Sequence, residues 1–237
     1  DGWYYVTVVD SNGCVNNDST DLIVNSLPDL NLNSNSPLCK TDTLHINVTG
    51  ALSYSWLSPD STLINGSAIT IPNSQISNSG IYYVTGISSN GCSSTSSINI
   101  VINPLPVFSS QTNSPVCQND SVILAATGNA SYLWSGPSLN SQQAVTYIVN
   151  AQPNQSGLYK VIATNNFGCT SSNNHQVTIN NRPLFTAACD SVVCFGNTLH
   201  LSATGNFAYN WTGPNNFVST NQNPEVTGIS NSNAGTY

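Results

Sequence analysis

Apolar and polar residues alternate in short runs along most of the chain. Leu44, Ile46 and Val48 alternate with His45 and Asn47, so that one face of this segment is apolar. Similar runs follow one another, separated by Thr-Gly, Asn-Gly and Pro-containing turn signals. Helical periodicity is almost absent. The pattern therefore predicts an all-β protein made of short strands.

The alternating runs recur at a fixed interval of 77 or 78 residues. An interval of this size is too long for a solenoid repeat and fits a small independent domain. It predicts part of a repeat at 1–28 (repeat I), complete repeats at 29–106 (repeat II) and 107–183 (repeat III), and part of another at 184–237 (repeat IV). Because repeats I and IV are partial, we expect a segment of a longer protein. The marker residues are Trp56, Trp134 and Trp211; Tyr4, Tyr82, Tyr159 and Tyr237; Cys39, Cys117 and Cys194; Cys14, Cys92 and Cys169; and Pro28, Pro106 and Pro183.

The spacing between these markers varies at one place. Trp is followed by Tyr after 26, 25 and 26 residues, whereas Tyr to Cys is always 10, Cys to Pro 14 and Pro to the next Cys 11. A length change in a middle connection leaves strand register intact. The constant Tyr-Cys-Pro-Cys run crosses each repeat boundary, so we expect the junction to set the length and stiffness of the string.

Two of the markers resemble the signature of the immunoglobulin sandwich. In repeats II, III and IV a Tyr and a Trp lie two apart on one strand, and a later strand opens with small-Gly-x-Tyr. These features are similar to the buried Trp of the third strand and the tyrosine corner of the sixth. The resemblance implies tandem immunoglobulin-like sandwiches with the Trp and Tyr markers in their cores. It departs from the family at the inter-sheet Cys pair, whose positions are taken by Ile46, Leu124 and Leu201 and by Val6, Val84 and Val161.

Further motifs extend the resemblance over all 237 residues. They are Trp-Thr-Gly-Pro-Asn-Asn-Phe at 211–217, Ala-Gly-Thr-Tyr at 234–237, Asn-Gly-Cys, and Ile-Asn-Pro-Leu-Pro at 102–106. Together they resemble the tandem immunoglobulin-like and PKD-like repeats of large secreted Bacteroidota adhesins, including gliding-motility adhesins. The resemblance implies a cell-surface or secreted protein exported by type IX secretion.

This organisation predicts a stalk segment of a long extracellular adhesin or surface fibre, with neighbouring repeats of the same chain as its first partners. One alternative is a subunit of a laterally assembled filament or sheath, which would contact other copies. Another is an accessory carbohydrate-binding region of a secreted hydrolase, which would contact surface glycans. Exposed aromatic residues are the candidates for such a patch, although packing explains them equally: Trp3, Tyr5, Tyr83, Tyr147 and Phe217.

The cysteines occupy repeat positions and form no CxxC pairs, which is typical of disulfides in an oxidising, extracellular setting. Two pairings are open. Within repeats, Cys39 would bond Cys92 and Cys117 would bond Cys169. The immunoglobulin topology, however, places Cys39 and Cys92 at opposite ends of a sandwich about 20 Å long, whereas a disulfide needs Cα atoms within about 7 Å. The second pairing joins Cys39 to Cys169 across a junction. Cys14 and Cys194 belong to the same series, and Cys189 lies outside it.

Charge and chemistry exclude several classes of function. Only 5% of residues are charged, against roughly 25% in ordinary soluble domains. With Lys40, Lys160 and Arg182 as the only cations, the chain has no basic surface for nucleic acid. His45 and His200 occupy a strand position where repeat III has Ile123, so we predict no enzyme, and no catalytic motif is present. We predict no cofactor and no metal site, and we interpret Asp-Ser-Asn-Gly at 10–13 as a hairpin turn rather than a calcium loop.

Asp followed by Ser or Thr and then by an apolar residue or Thr occurs five times. This pattern looks like the O-glycosylation motif of Bacteroidota, with chance in a Ser/Thr-rich chain as the alternative. Half of the ten acidic residues lie in it. The candidate acceptor residues are Ser19, Thr43, Ser61, Ser121 and Ser191.

Overall fold

The computed structural model describes residues 1–237, and strands joined by turns make up its regular structure. Its helices are single 3-10 turns at Ile76–Asn78, Pro153–Gln155, Pro214–Asn216 and Asn231–Asn233. The all-β prediction is therefore confirmed. The chain forms two compact units. The first contains Asp1–Asn113, Ile123–Ile148 and Gly157–Val177; the second contains Ser114–Val122, Val149–Ser156 and Thr178–Tyr237.

Repeat II is a two-sheet sandwich within the first unit. Its strands are β3 (Asn31–Ser34), β4 (Leu38–Cys39), β5 (Leu44–Thr49), β6 (Ser53–Leu57), β7 (Leu63–Asn65), β8 (Ala68–Ile71), β9 (Gly80–Ile87), β10 (Ser93–Ile100) and β11 (Ile102–Asn103). One sheet has the order β3-β5-β8 and the other β10-β9-β6-β7, all antiparallel, while β4 pairs in parallel with β11. This arrangement is immunoglobulin-like, with β6 and β9 as the third and sixth principal strands.

The core of repeat II lies between these sheets and is centred on Trp56. The Trp56 side chain is 0% exposed, and its indole N–H donates to the Gly66 carbonyl oxygen at 2.9 Å. Ile46 and Val84 take the places of the inter-sheet cysteines, and both are buried. An apolar contact therefore replaces the usual bond. Strand β5 alternates buried and exposed residues throughout, as its sequence predicts.

The small-Gly-x-Tyr motif has a steric cause. Gly80 has φ of +135°, and a Cβ at this position would lie 2.9 Å from Cγ of Pro59. Glycine therefore lets β9 begin against the proline that follows the Trp strand. Two residues later, the Tyr82 hydroxyl donates to the Asn78 carbonyl oxygen at 3.0 Å, and burial raises the pKa of Tyr82. This bond fastens the 3-10 turn to the core, as expected of a tyrosine corner.

Repeat III carries the same strands, but its segments belong to both units. In the first unit, β12, β14 and β17 form one sheet, and β16, β15, β18 and β19 form another. Trp134 and Tyr159 are 0% exposed there. In the second unit, β13 pairs in parallel with β20. The strands are β12 (Phe108–Thr112), β13 (Val116–Cys117), β14 (Val122–Gly128), β15 (Ser131–Gly136), β16 (Leu139–Ser141), β17 (Val145–Ile148), β18 (Gly157–Thr164), β19 (Thr170–Val177) and β20 (Ile179–Asn180).

Repeat I is an antiparallel hairpin of β1 (Gly2–Val9) and β2 (Val15–Leu22). Tyr4 is 61% exposed, although we expected it in a core like Tyr82 and Tyr159. Val6 is exposed as well. Repeat I consists here of these two strands alone, so a core position for Tyr4 stays a prediction.

Repeat IV lies in the second unit. Strand β22 pairs with β21 and β25, and β23 pairs with β24 alone. The Tyr237 hydroxyl donates to the Asn233 carbonyl oxygen at 3.1 Å, which repeats the tyrosine corner. Trp211 is half-buried, unlike Trp56 and Trp134. The strands are β21 (Ala187–Cys189), β22 (Leu199–Ala203), β23 (Trp211–Gly213), β24 (Phe217–Ser219) and β25 (Glu225–Val226).

Two neighbouring tyrosines on β9 allow a test of how much the tyrosine corner contributes to stability. We expect Tyr82→Phe to lower the free energy of unfolding of repeat II by about 1–3 kcal/mol, because it removes the donor to the Asn78 carbonyl. Tyr83→Phe is the matched control, since Tyr83 is exposed, and it should change stability by less than about 0.5 kcal/mol. Guanidinium unfolding of the two variants measures the difference. Equal effects of the two substitutions would contradict a structural role for the corner.

Candidate functional site at the repeat junction

A disulfide joins repeat II to repeat III. It connects Cys39 with Cys169, whose Cα atoms are 5.6 Å apart and which are 130 residues apart in the chain. Of the two pairings that the sequence leaves open, the structure has the one that crosses a junction. The within-repeat pairings are wrong, because Cys92 and Cys117 are unbonded.

Cys39 is held at the end of β4 by its own turn and by β11. It lies opposite Asn103 in the parallel pair, and the next N–H, that of Lys40, donates to the Asn103 carbonyl oxygen at 2.8 Å. The Asp42 carboxylate accepts the Cys39 N–H at 3.2 Å, and the Asp42 N–H donates to the Cys39 carbonyl oxygen at 3.1 Å. This reciprocal pair fixes the backbone of the cysteine. Sequence reasoning missed this role of Asp42, although the Cys-x-x-Asp spacing recurs at Cys117.

Cys169 lies at the tip of the β18–β19 hairpin and is 1% exposed. The Asn165 side-chain oxygen accepts the N–H groups of Phe167 and Cys169, each at 3.0 Å. The Asn165 amide group in turn donates to the Pro104 carbonyl oxygen at 2.8 Å. One side chain therefore shapes the hairpin tip and binds it to the segment that leads out of repeat II.

The equivalent hairpin of repeat I uses a carboxylate for the same turn. The Asp10 carboxylate accepts the N–H groups of Asn12 at 2.8 Å and Cys14 at 2.9 Å. These bonds, that of Cys14 first, lower the pKa of Asp10 below its usual value. Because the turn itself occupies this carboxylate, the segment is a hairpin turn, as interpreted from the sequence.

The hairpin tip of repeat II contacts the segment that precedes the repeat. The Asn90 amide donates to the Asn25 side-chain oxygen at 2.9 Å, and the Ser94 hydroxyl donates to the Pro28 carbonyl oxygen at 2.6 Å. The Cys92 sulfur lies 3.8 Å from the Asn25 carbonyl oxygen. At both junctions of the first unit, the hairpin tip of one repeat therefore contacts the segment that leads out of the repeat before it.

The other cysteines carry free thiols. Cys92 is half-buried, and Cys14, Cys117, Cys189 and Cys194 are exposed. Cys117 is set in its turn like Cys39: it lies opposite Asn180 in a parallel pair, and the Asp120 N–H donates to its carbonyl oxygen at 3.0 Å. An Arg182–Asp120 ion pair of 2.9 Å borders this turn. Cys189 ends β21 opposite Leu201 and has no counterpart in the other repeats.

The aspartates of the five candidate glycosylation motifs all make bonds within the chain. Asp18 accepts the Ser19 N–H, Asp120 pairs with Arg182, and Asp190 accepts the His200 N–H at 2.9 Å. Hydrogen bonds also lower the pKa of two of them, chiefly that of the Ser58 hydroxyl for Asp60 and of the His200 N–H for Asp190. These bonds give the aspartates structural roles of their own. Among the candidate acceptors, Thr43 is half-buried and the others are exposed: Ser19, Ser61, Ser121 and Ser191.

The aromatic residues that the sequence offers for a glycan-binding patch differ in their exposure. Phe217 is half-buried against Tyr237, with ring centroids 5.6 Å apart, so packing explains it. The others expose more than half of their surface: Trp3, Tyr5, Tyr83 and Tyr147.

Each of the three histidines has a hydrogen-bonding neighbour. His175 lies 2.9 Å from the Ser110 hydroxyl, His200 lies 2.9 Å from the Asp190 carboxylate, and His45 lies 3.4 Å from the Thr70 hydroxyl. No three His, Cys, Asp or Glu side chains come together as a metal site. None of the helices has the length and apolar character needed to cross a bilayer.

Comparisons with known proteins find matches among solved structures, and the sequence identities are low. A scan against protein-family models finds no match, and a search of curated proteins finds none. Among solved structures, murine CEACAM1b matches 64% of this chain and 100% of its own, with 12% identity and a TM-score of 0.35. Three N-terminal domains of the bacteriophage RB49 Hoc protein match 75% of this chain and 67% of their own, with 17% identity and a TM-score of 0.35. Four N-terminal immunoglobulin domains of a Dscam1 isoform match 94% of this chain and 71% of their own, with 12% identity and a TM-score of 0.30.

The cysteine connectivity is directly measurable. We expect thiol titration of the denatured, unreduced chain to find the five free cysteines, because Cys39 and Cys169 are bonded to each other. Non-reducing peptide mapping should recover a linked peptide pair that contains these two residues. A Cys39–Cys92 linkage would contradict the junction disulfide. In a Cys39→Ser variant the count should rise by one, since Cys169 is released.

Proposed function

We propose that the chain is a stalk segment of an extracellular adhesin or surface fibre, in which tandem immunoglobulin-like repeats are linked covalently at their junctions. The proposed repeats are 29–106 and 107–183, with 1–28 and 184–237 as parts of neighbouring ones. The Cys39–Cys169 bond is the observation that carries the proposal. A bond between repeats leaves each core unchanged and restrains how the two repeats move, which is a mechanical task.

The position of the bond suits a chain under tension. The Cys39–Cys169 bond gives force a covalent path past the 130-residue separation between them. Fully extended, that length of chain spans about 470 Å at about 3.6 Å per residue. The disulfide therefore prevents this extension, even if the cores of both repeats unfold. A stalk that holds its length under shear benefits from such a limit.

The surface supports an extracellular place for this stalk. Charged residues make up 5% of the chain, in which Asn, Ser and Thr are abundant. The interactions of a surface with so few charges change little with ionic strength. A disulfide between repeats also requires an oxidising compartment. The resemblance to secreted Bacteroidota adhesins is consistent with this setting and adds type IX export to the proposal, with O-glycans at the exposed Ser residues as a further part of it.

Single-molecule stretching tests the mechanical role. With the chain pulled through handles at its two termini, we expect Cys39→Ser to increase the final contour length by about 470 Å over the unsubstituted chain. A reductant should lengthen the unsubstituted chain by the same amount. Cys189→Ser is the matched control, because Cys189 is unbonded, and it should leave the contour length unchanged.

Three results would overturn the stalk proposal. An unchanged contour length after Cys39→Ser would show that the bond carries no load. Regular helical order of purified chains in electron micrographs would favour the laterally assembled filament, and binding of defined glycans on an array would favour the carbohydrate-binding region.

A further inference from the structure

Strand β17 of the complete repeat III lies at the edge of its sheet. The sheet has the order β12-β14-β17, so β17 pairs with β14 on one side and with no strand on the other. The Ala126 N–H of β14 donates to the carbonyl oxygen of Ala144, directly before β17, at 2.8 Å. Backbone groups of successive residues in an antiparallel strand point to opposite sides. The N–H and C=O groups of Val145 and Tyr147 therefore point to the free side of β17.

The side chains of β17 combine a core-facing and an outward-facing apolar surface. Thr146 and Ile148 are buried, whereas Val145 and Tyr147 are 42% and 57% exposed. β-Branched and aromatic residues such as these are enriched in strands that have neighbours to pack against. The buried pair holds the strand in place, and the exposed pair forms an apolar stripe beside the free backbone groups.

The corresponding edges of the other repeats carry groups that oppose strand pairing. Repeat II has Pro72 directly after β8, and repeat IV has Pro224 directly before β25. Glu225 of β25 occupies the position that Tyr147 holds in β17, counted back from the corner tyrosine. Prolines and charges are the usual means by which the edge of a sheet avoids pairing with another chain. Strand β17 contains neither.

Electrostatics favour a second copy of this chain as the strand that binds at this edge. No Asp, Glu, Lys, Arg or His occurs from residue 121 to residue 159. In a twofold contact each group lies near its own equivalent, so a charge on the edge would face a like charge. The chain has a net charge of −7, and this uncharged edge is a place where two copies meet without that repulsion.

We infer that β17 pairs antiparallel with β17 of a second copy, so that their two sheets become one continuous sheet. With the twofold axis beside Thr146, Val145 of each copy lies opposite Tyr147 of the other. This register places the free N–H and C=O groups of both residues against each other. It also gives an aromatic–β-branched pair at each end of the contact and a Thr–Thr pair at its centre, which are favourable cross-strand pairs.

The inference is independent of the stalk proposal. Pairing through β17 joins separate chains side by side, whereas the Cys39–Cys169 bond joins two repeats of one chain. The stalk keeps its mechanical role whether or not its edge is paired, so each proposal can fail without the other.

Sedimentation equilibrium of the full chain tests the pairing. The free thiols are first capped with iodoacetamide in the absence of reductant, so that the Cys39–Cys169 bond stays intact and no disulfide links two chains. We expect the average mass to rise with concentration from that of one chain toward that of two. Tyr147→Glu should abolish this rise, because it places two like charges in one contact. Repeat IV carries Glu225 at the equivalent position, so the fold accepts the substitution.

Thr70→Glu is the matched control for charge and strand position. Thr70 is the residue of β8 in repeat II that corresponds to Tyr147. The new carboxylate would lie beside His45, as Glu225 lies beside His200 in repeat IV. We expect this variant to pair as the unsubstituted chain does. The mass of a single chain at every concentration, or an equal loss of pairing in both variants, would overturn the inference.

Amide hydrogen exchange tests which strand makes the contact. Where about nine chains in ten are paired, the N–H groups of Val145 and Tyr147 should exchange about tenfold more slowly than in dilute protein, because only unpaired chains expose them to water. The N–H groups of Thr146 and Ile148 face β14 in both states and serve as the internal reference. Unchanged exchange at Val145 and Tyr147 in chains that do pair would locate the contact elsewhere and overturn the inference.

Discussion

In each complete repeat, burial of the Trp side chain depends on contact between the Trp strand and the strand that begins at the tyrosine corner. Where the second strand is present, as at Trp56 opposite Val84 and Trp134 opposite Val161, the indole ring is 0% exposed. Where β23 lacks that partner, Trp211 is half-buried. The Gly80–Pro59 contact and the Tyr82 corner serve this pairing, because they set where the second strand begins. Burial of one large side chain thus depends on the docking of one hairpin.

The same hairpin also makes the junction. Its first strand covers the Trp of its own repeat, and its tip carries Cys169 to the neighbouring one. Asn165 serves both tasks, because it accepts the tip N–H groups and donates to the Pro104 carbonyl oxygen. A change that loosens the hairpin therefore weakens a core and a junction together. Each complete repeat has its own buried core, but restraint between repeats passes through the element that completes that core.

The sequence reveals the strands and cores of this fold better than its covalent links. Alternation in β5 and the Trp and Tyr intervals suffice for the sandwich, because side-chain period and burial act within one repeat. The partner of Cys39 stayed open, because spacing alone does not say which hairpin tip lies near β4. Asp42 was missed because its bonds to Cys39 are backbone capping bonds, which a Ser/Thr-rich chain offers at many positions.

The position of the length variation follows from these constraints. Between β6 and β7 the chain passes through 58–62, where Asp60 shapes the turn, but between β15 and β16 it passes through 137–138 alone. Both β7 and β16 are edge strands, so a different loop before them leaves every other pairing unchanged. The hairpin tips, by contrast, close identically, with the Ser88 N–H bonded to the Cys92 carbonyl and the Asn165 N–H to that of Cys169. The hairpin is bounded by the Trp on one side and by the neighbouring repeat on the other, and an inserted residue would break one of the two contacts.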